Sequence, residues 1–351
     1  MKPLKFIFSS LFSNEMIIKE SKHQKWWLAI VIMLFSCIVS LVPSFVSMMT
    51  VQGSNIITAN QNYGIDYGLK QFSLSYLGNN DNQLKIIDEK LTLSETATKT
   101  DNGIYYTLTE IEYNEKIALS VYYVDYNSEE TNYKTFDEKM AAAINAIKAS
   151  RPTENQNESK LQNSLILGKE LVYLLLCGSN ETCNYTTEAD GSITITATSQ
   201  NVSTLSGNYK NIAGDLANLN GYAYGNSESD KANNAFNNWK NFFDKAYESP
   251  RNIAALRYAG INLGMDLIIV MALALTTFLL SKTKASVVKY KFLESLKMVF
   301  FAILSPAIIS IIIMLLIPSF QSMAFLMCCI LRITWLGMKA TNPPSSQPIR
   351  K

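Results

Sequence analysis

Long apolar runs lie near both ends of the chain, and the residues between them are mostly polar. The first run, Trp26–Met49, carries no charged residue over 24 positions. A helix of that length rises about 36 Å, enough to cross a hydrocarbon core of about 30 Å. The run is too long for a signal peptide, and Trp26 and Trp27 suit the aromatic belt of a membrane interface. The pattern predicts an uncleaved transmembrane helix.

Three more apolar stretches follow near the C-terminus, at 258–281, 298–318 and 320–338. A single helix over the last two would be about 60 Å long, twice the thickness of the core. Pro318 separates these two stretches, so they predict a helical hairpin, although Arg332 interrupts the second of them.

The polar middle of the chain combines strand and helix patterns. Partial alternation of Tyr, Ile, Val and Thr predicts strands over Phe72–Leu77, Leu84–Leu93, Gly103–Tyr113, Lys116–Tyr126 and Ser192–Thr198. Asn114 and Glu115 predict a hairpin turn between the third and fourth of these. The Gly- and Asn-rich segment Asn201–Gly225 predicts loop with short turns.

Helices are predicted in the same region over 135–149, Leu161–Leu176 and Ser229–Glu248. Thr135 and Glu138 match a capping box at the start of the first. The third is amphipathic, with apolar residues every three or four positions. It either packs on the core of the domain, which we favour, or lies on the outer membrane surface. Ser249 and Pro250 predict the start of a new helix.

Charge follows the same division of the chain. Residues 51–255 include 25 acidic and 16 basic residues, whereas the rest of the chain has 4 acidic and 15 basic ones. Lysines cluster before the first apolar run, between the second and third, and after the fourth. Cytoplasmic segments of membrane proteins carry such an excess of Lys and Arg. Four spans place these three segments together in the cytoplasm and the acidic middle outside.

These patterns predict an α-helical membrane protein with four transmembrane helices, one before and three after an inserted α+β extracytoplasmic domain. The protein is expected in the cell membrane, multi-pass, with both termini in the cytoplasm. The predicted parts are a cytoplasmic N-terminal segment (1–25), transmembrane helix 1 (26–49), the extracytoplasmic domain (50–257), transmembrane helix 2 (258–281), a cytoplasmic basic loop (282–297), transmembrane helices 3 (298–318) and 4 (320–338), and a cytoplasmic tail (339–351).

Few residue patterns point to chemistry. The single histidine, His23, leaves little for histidine-based metal sites or proton shuttles. Nucleotide-binding loops, hydrolase elbows and zinc-protease motifs are missing from the sequence, so we expect neither an enzyme nor a cofactor. The acidic middle disfavours nucleic acid as a partner. Cys177 and Cys183 flank a short turn-like spacer and form either a disulfide or two free thiols.

Asp266 and Arg332 are the only ionisable residues well inside the predicted spans. Charges inside a membrane are costly and usually paired, and counting along the two helices places both at a similar depth. We hypothesise an ion pair. Alternatively, Asp266 lies near the outer interface and Arg332 extends towards the inner one. Gly260 and Gly264 form a GxxxG motif that permits close helix packing.

The order of the parts resembles bacterial membrane proteins known as maltodextrin-utilisation proteins, which carry a domain of unknown function and are distantly grouped with Yip-type membrane proteins. The similar residues are Leu11–Ile17 (LFSNEMI), Lys291–Lys297 (KFLESLK) and Ala302–Pro306 (AILSP). The resemblance covers the two ends and little of the middle. It implies an accessory role near a carbohydrate-uptake system and supplies no catalytic residues.

The sequence therefore predicts a non-enzymatic membrane protein whose outer domain binds a partner, such as a transporter or another envelope component. Besides that protein, the only partner expected is the lipid bilayer. The alternative is a small transporter or channel subunit that uses the membrane bundle around Asp266 and Arg332. A membrane enzyme acting on lipid or sugar is the third and weakest hypothesis.

Overall fold

The chain divides into two compact units, Met1–Thr50 with Ala254–Lys351, and Val51–Ile253. The structure is a computed structural model. It describes residues 3–59, 64–113, 116–127, 132–149, 163–176, 183–187, 193–197, 203–283, 289–317, 320 and 323–341. Each unit has a buried apolar core of its own, and we call them the helical unit and the 51–253 unit.

Every strand that the structure describes lies in the 51–253 unit, whereas helices occur in both units. The α-helices are α1 (Pro3–Phe12), α2 (Asn14–Glu20), α3 (Trp26–Met49), α4 (Ser54–Ala59), α5 (Ile65–Gln71), α6 (Phe136–Ala149), α7 (Glu228–Lys282), α8 (Phe292–Ala302), α9 (Leu304–Leu316) and α10 (Ala324–Thr341). The strands are β1 (Leu84–Ile87), β2 (Lys90–Leu93), β3 (Thr100–Asp101), β4 (Tyr106–Tyr113), β5 (Lys116–Val124), β6 (Asn163–Gly168), β7 (Leu171–Leu176), β8 (Cys183–Thr187), β9 (Ile193–Ala197) and β10 (Ser203–Asn208).

A six-stranded sheet in the order β10-β7-β6-β5-β4-β3 forms the centre of the 51–253 unit. Neighbouring strands are antiparallel except β5 and β6, which run parallel. A parallel pair needs a long crossover connection, and α6 lies in the one between β5 and β6. This helix buries Phe136, Met140, Ala143 and Ile147 against Tyr122, Val124 and Ile166 on one face of the sheet.

The N-terminal part of α7 packs on the face of the sheet opposite to α6. Successive strand residues point to opposite faces, so Val121, Leu165 and Leu174 belong to a different cluster from Tyr122 and Ile166. Trp239, Phe242 and Phe243 of α7 are fully buried in the cluster with Val121, Leu165 and Leu174. The favoured interpretation of the amphipathic helix, packing on the core, is confirmed.

The helix predicted over Leu161–Leu176 is wrong, because the described part of this segment, 163–176, forms the hairpin β6–β7 with Lys169 and Glu170 at its turn. All six residues of β6 are buried, and its apolar run Leu165–Gly168 lacks the alternation of a half-exposed strand. Periodicity cannot distinguish such a run from a buried helix.

Three other local predictions also need correction. Phe72–Tyr76 is a π-helical turn that follows α5, and no strand forms there. The predicted strand Leu84–Leu93 is the hairpin β1–β2, with Asp88 and Glu89 both at positive φ in a tight two-residue turn. The predicted loop Asn201–Gly225 contains an edge strand, β10, before its two 3₁₀ turns.

The predicted break at Ser249-Pro250 is wrong as well. Helix α7 continues through Pro250 for 55 residues. Proline removes one intrahelical hydrogen bond, which kinks a helix without always ending it. The predicted hairpin β4–β5 and strand β9 are confirmed. The capping box of α6 is confirmed in part: the Glu138 N–H donates to the Thr135 hydroxyl at 3.2 Å, but the Glu138 carboxylate accepts the Lys134 N–H at 2.8 Å.

Among the residues that the structure describes, three helical segments are long and apolar enough to cross a membrane, namely Trp26–Met49, Glu228–Lys282 and Phe292–Leu316. Helix α10, predicted as the fourth span, is not among them, and it carries Arg332 and Lys339.

The N-terminal segment is a folded part of the helical unit. Phe6 of α1 is fully buried and meets the ring of Phe301 edge-on at 4.8 Å.

A row of serines marks the face of α3 that packs inside the helical unit. Ser36, Ser40 and Ser44 recur every four residues and are all buried. The Ser36 hydroxyl donates to the Ile32 carbonyl at 2.7 Å, so it needs no partner outside the helix. Small residues of this kind let neighbouring helix backbones approach closely within a membrane.

Candidate functional site

An open cavity of about 520 Å³ lies in the 51–253 unit, where the segment between the π-helical turn and β1 meets the two 3₁₀ turns and the start of α7. Its volume falls in the range of small-ligand sites, but most such sites are apolar. This cavity is lined chiefly by polar side chains, among them Asn80, Gln83, Lys85, Asn218, Glu228 and Lys231.

Asn220 holds the walls of this polar cavity together. Its side-chain amide donates hydrogen bonds of 2.8 Å to the carbonyls of Leu77 and Asn82. Its side-chain oxygen accepts the Leu84 N–H at 2.7 Å. All three bonds link the 3₁₀ turn to residues 77–84, which are distant in sequence. The cavity is therefore built on backbone that the half-buried Asn220 amide fixes in place.

Several side chains in the polar cavity keep their hydrogen-bonding groups free. Within the described part of the chain, the side chains of Asn80, Gln83, Lys85 and Asn218 make no hydrogen bond or ion pair, and all four are exposed. Glu228 and Lys231 pair with each other at 2.8 Å. Three amides and one ammonium are thus available to a polar ligand, which would meet both donors and acceptors.

No sequence pattern signals this cavity. Its residues come from two segments more than one hundred positions apart, and the Asn220 bonds that join them have no sequence pattern of their own. The middle of the chain is rich in Asn, but a high Asn content is also typical of exposed loops.

Tyrosine side chains of β4, of β5 and of the segment before β4 pack against one another. Tyr122 and Tyr123 are buried. The Tyr105 ring meets Tyr122 edge-on at 5.4 Å, and the Tyr106 ring stacks on Tyr123 at 6.5 Å. Burial raises the pKa of Tyr123, with the carboxylate of Asp125 adding to the effect.

Tyr209 has a deeply buried hydroxyl in the core of the 51–253 unit. It is 1% exposed, and its hydroxyl lies 2.9 Å from the Gly168 carbonyl and 3.0 Å from the Leu171 carbonyl. Burial raises its pKa well above the usual range, and burial also raises the pKa of Tyr76 to about 12. Both hydroxyls stay protonated in the folded unit at a pH where an unfolded chain has begun to ionise.

We therefore expect the 51–253 unit to lose stability above about pH 10, the pKa of an unfolded tyrosine. The folded state then holds protons that the unfolded state has released, so rising pH favours unfolding. Tyr209→Phe should cost about 1–2 kcal/mol at pH 7 and make the alkaline decline shallower. Urea-dependent proteolysis of the full-length protein in mild detergent between pH 7 and 11 measures both effects. If the variant and the wild type lost the same unfolding free energy per pH unit above about pH 10, this expectation would be contradicted.

The structure does not bring Asp266 and Arg332 together as an ion pair. Asp266 accepts a hydrogen bond from the Ser40 hydroxyl at 3.2 Å. The Arg332 guanidinium donates to the Ser10 carbonyl at 3.0 Å and lies over the Trp335 ring. Ser10 is in the last turn of α1, where carbonyls without helical partners attract cations. The sequence predicts only a cytoplasmic segment before the first span, so this partner of Arg332 could not be anticipated.

Gly260 and Gly264 have open space beside them. A Cβ added at either position would meet no atom within 4 Å. No helix of this chain packs on them within the residues that the structure describes, so the GxxxG motif has no packing role inside the helical unit. Close packing at this motif stays a prediction for contacts with another chain.

The predicted disulfide lies outside what the structure describes, because Cys177 and the side chain of Cys183 are not described. Cys37, Cys328 and Cys329 are free thiols. Within the described ranges, no three His, Cys, Asp or Glu residues are placed to hold a metal ion.

Known proteins offer no further guide to this site. Comparisons with models of protein families, with curated proteins and with solved structures find no match to this chain.

Proposed function

We propose that the chain is a multi-pass membrane protein that displays the 51–253 unit outside the cytoplasm and binds a partner protein there. In this proposal it is a non-enzymatic accessory component of a carbohydrate-uptake or envelope system. The polar cavity is the observation that carries the binding role. A fixed concave surface with free amide and ammonium groups is suited to recognition.

Four spans are the topology we propose, with α10 as the fourth. Two contacts of α10 support this. Lys339 forms a 3.8 Å ion pair with Glu15 of α2, and Arg332 bonds to the Ser10 carbonyl of α1. The end of α10 therefore lies beside the N-terminal helices, as expected when both termini are on one side of the membrane. An even number of spans requires that arrangement.

The lysine-rich segments favour the cytoplasm for this shared side. The 51–253 unit then lies outside, where its acidic character does not oppose its transfer, because acidic residues have little influence on topology.

The partner proposed for the polar cavity is a protein segment with exposed main-chain groups. Asn80, Gln83 and Asn218 carry the same donor and acceptor pair as a peptide bond, so they can satisfy an extended segment. Lys85 adds one ammonium that would favour an acidic residue in that segment. The resemblance to maltodextrin-utilisation proteins makes a subunit of a sugar-uptake system the first protein to look for.

Cross-linking in native cells tests this binding role. The tagged full-length protein is cross-linked, solubilised mildly and purified, and the attached proteins are identified by mass spectrometry. We compare the wild type with Lys85→Ala combined with Asn218→Ala. The control, Lys210→Ala with Asn211→Ala, removes one ammonium and one amide of the same unit outside the cavity.

The cavity variant is expected to recover about tenfold less of the partner than the control, because truncating central contact residues costs the most affinity. Equal recovery of the partner by both variants would place the binding surface elsewhere. The absence of any specific partner of the wild type would contradict the proposal itself.

The alternative, a small transporter or channel subunit, has one observation in its favour. Asp266 is half-buried in the predicted second span and contacts the serine row of α3 through Ser40. Ionisable residues at such positions often belong to ion or substrate paths. Ion flux into liposomes that is present for the wild type and lost in Asp266→Asn would favour this alternative.

A further inference from the structure

A second cavity, of about 190 Å³, lies in the helical unit between the end of α2 and the segment that enters α8. Ile18 and Met298 form its apolar part. Its polar part consists of Ser21, Lys22, Lys289, Tyr290 and Glu294. We call it the basic cavity, and it combines an apolar wall with two ammonium groups.

The two lysines of the basic cavity are free to bind an anion. Lys22 and Lys289 are exposed, and neither forms an ion pair with any residue in the described ranges. Glu294 does not neutralise them by a direct contact, because its carboxylate accepts the Lys291 N–H at 2.9 Å and caps α8. The cavity therefore carries two free cations against one engaged carboxylate.

Tyr290 adds a hydrogen-bond donor to the same cavity. Burial raises the pKa of its hydroxyl, and the nearby carboxylate of Glu294 raises it further. The phenol is therefore protonated at neutral pH and can donate to an anion.

The backbone that presents Lys22 is held in place from inside the helical unit. The buried ammonium of Lys297 donates to the Lys22 carbonyl at 3.3 Å and to the Gln24 carbonyl, and it lies over the Trp26 ring. Lys297 is only 5% exposed, so it shapes the cavity without being available to a ligand. A preorganised site loses less entropy when it binds.

We propose that the basic cavity binds a phosphate group, with Lys22 and Lys289 pairing with its oxygens. The phosphate can belong to the headgroup of an anionic phospholipid or to an ion in solution. The lipid is favoured because Lys22 lies four residues before α3 and Lys289 three residues before α8, at the predicted ends of two membrane segments. Basic pockets between helices on the cytoplasmic side suit anionic headgroups. The lipid assignment rests on the membrane insertion proposed above.

Native mass spectrometry of the full-length protein in mild detergent tests this site. The protein is titrated with phosphatidylglycerol, with phosphatidylcholine, with inorganic phosphate alone, and with phosphatidylglycerol in the presence of excess inorganic phosphate. Lys22→Gln with Lys289→Gln removes the two cations of the cavity. The control, Lys5→Gln with Lys25→Gln, removes two exposed lysines of the N-terminal segment that do not line it.

The wild type and the control are expected to prefer phosphatidylglycerol over phosphatidylcholine. The cavity variant should bind phosphatidylglycerol about tenfold more weakly than the control, because it loses two direct ammonium–phosphate contacts, whereas the control lysines do not line the cavity. Persistence of bound lipid in excess phosphate identifies the headgroup as the source. If excess phosphate displaces the lipid from the wild type but not from the cavity variant, the natural ligand is free phosphate. The proposed phosphate site then still stands.

Equal lipid affinity of the cavity variant and the control would overturn the proposal, as would a wild type that binds neither phosphatidylglycerol nor phosphate. Incorporation of the wild type into phosphatidylcholine nanodiscs is measured separately and reports on insertion alone. A protein that inserts without preferring the anionic lipid refutes only this site. A protein that fails to insert refutes the membrane function proposed above, while the phosphate titration still decides the site.

Discussion

Replacing Trp239 with alanine is expected to cost the 51–253 unit about 3–5 kcal/mol of unfolding free energy, the range for removing a buried aromatic side chain. The side chain is fully buried, and its ring lies 5.2 Å from both Tyr222 and Phe242 and 5.8 Å from Phe243. Domain stabilities are about 5–15 kcal/mol, so this single change removes a large fraction of the total.

The indole of Trp239 also donates a 2.8 Å hydrogen bond to the Ser73 hydroxyl. Trp239→Phe retains an aromatic ring in the core and loses this bond, so we expect it to cost about 1–2 kcal/mol. Tyr224→Ala is the surface control, because Tyr224 is 59% exposed and should change stability by less than about 0.5 kcal/mol. Urea-dependent proteolysis of the full-length protein in detergent ranks the three variants. A Trp239→Ala variant as stable as Tyr224→Ala would show that α7 does not pack on the sheet core.

Adding one methyl group at Gly207 is expected to cost about 2–3 kcal/mol. A Cβ at this position would lie 2.8 Å from the Ala246 Cβ and 2.9 Å from its carbonyl carbon and oxygen. Two of these atoms belong to the backbone, so α7 or β10 must move away from the other. Overpacking of a close-packed interior costs about 1–3 kcal/mol, and a clash with backbone belongs at the upper end.

Gly221→Ala is the matched control for Gly207→Ala. The nearest atom to its added Cβ is the side-chain nitrogen of Asn218 at 3.5 Å, an ordinary contact. We expect this control to change stability by less than about 0.5 kcal/mol in the same proteolysis measurement. Similar stabilities for Gly207→Ala and Gly221→Ala would mean that α7 and β10 are not in close contact.

Elements with a strong local signal were predictable from the sequence. Trp26–Met49 is a helix because no polar residue interrupts its apolar run except serines, and α6 begins where Thr135 and Glu138 can cap it. The β6–β7 hairpin was not predictable, because burial on both faces removes the alternation that identifies a strand. Continuation of α7 through Pro250 depends on packing on either side of the proline, which local sequence rules do not include.

Prediction of the sites failed for a related reason. Depth in the membrane pairs Asp266 with Arg332, but depth does not determine which helix faces which. Arg332 instead reaches the last turn of α1, a helix whose burial could not be anticipated from a basic N-terminal segment. The polar cavity depends on the three hydrogen bonds of Asn220, and such long-range contacts leave no periodic trace in a sequence.

Membrane topology is the claim on which the proposed function depends most. It can be measured by thiol labelling of intact cells with a membrane-impermeant maleimide, using a full-length protein whose 5 native cysteines are replaced. Single cysteines are introduced as Asn211→Cys in the 51–253 unit and as Lys5→Cys in α1, both at exposed positions. We predict that the Asn211→Cys protein is labelled in intact cells and the Lys5→Cys protein only after permeabilisation. Labelling of the Asn211→Cys protein only after permeabilisation would contradict the proposed display of the 51–253 unit outside the cytoplasm. Labelling of the Lys5→Cys protein in intact cells would contradict the cytoplasmic position of the N-terminus.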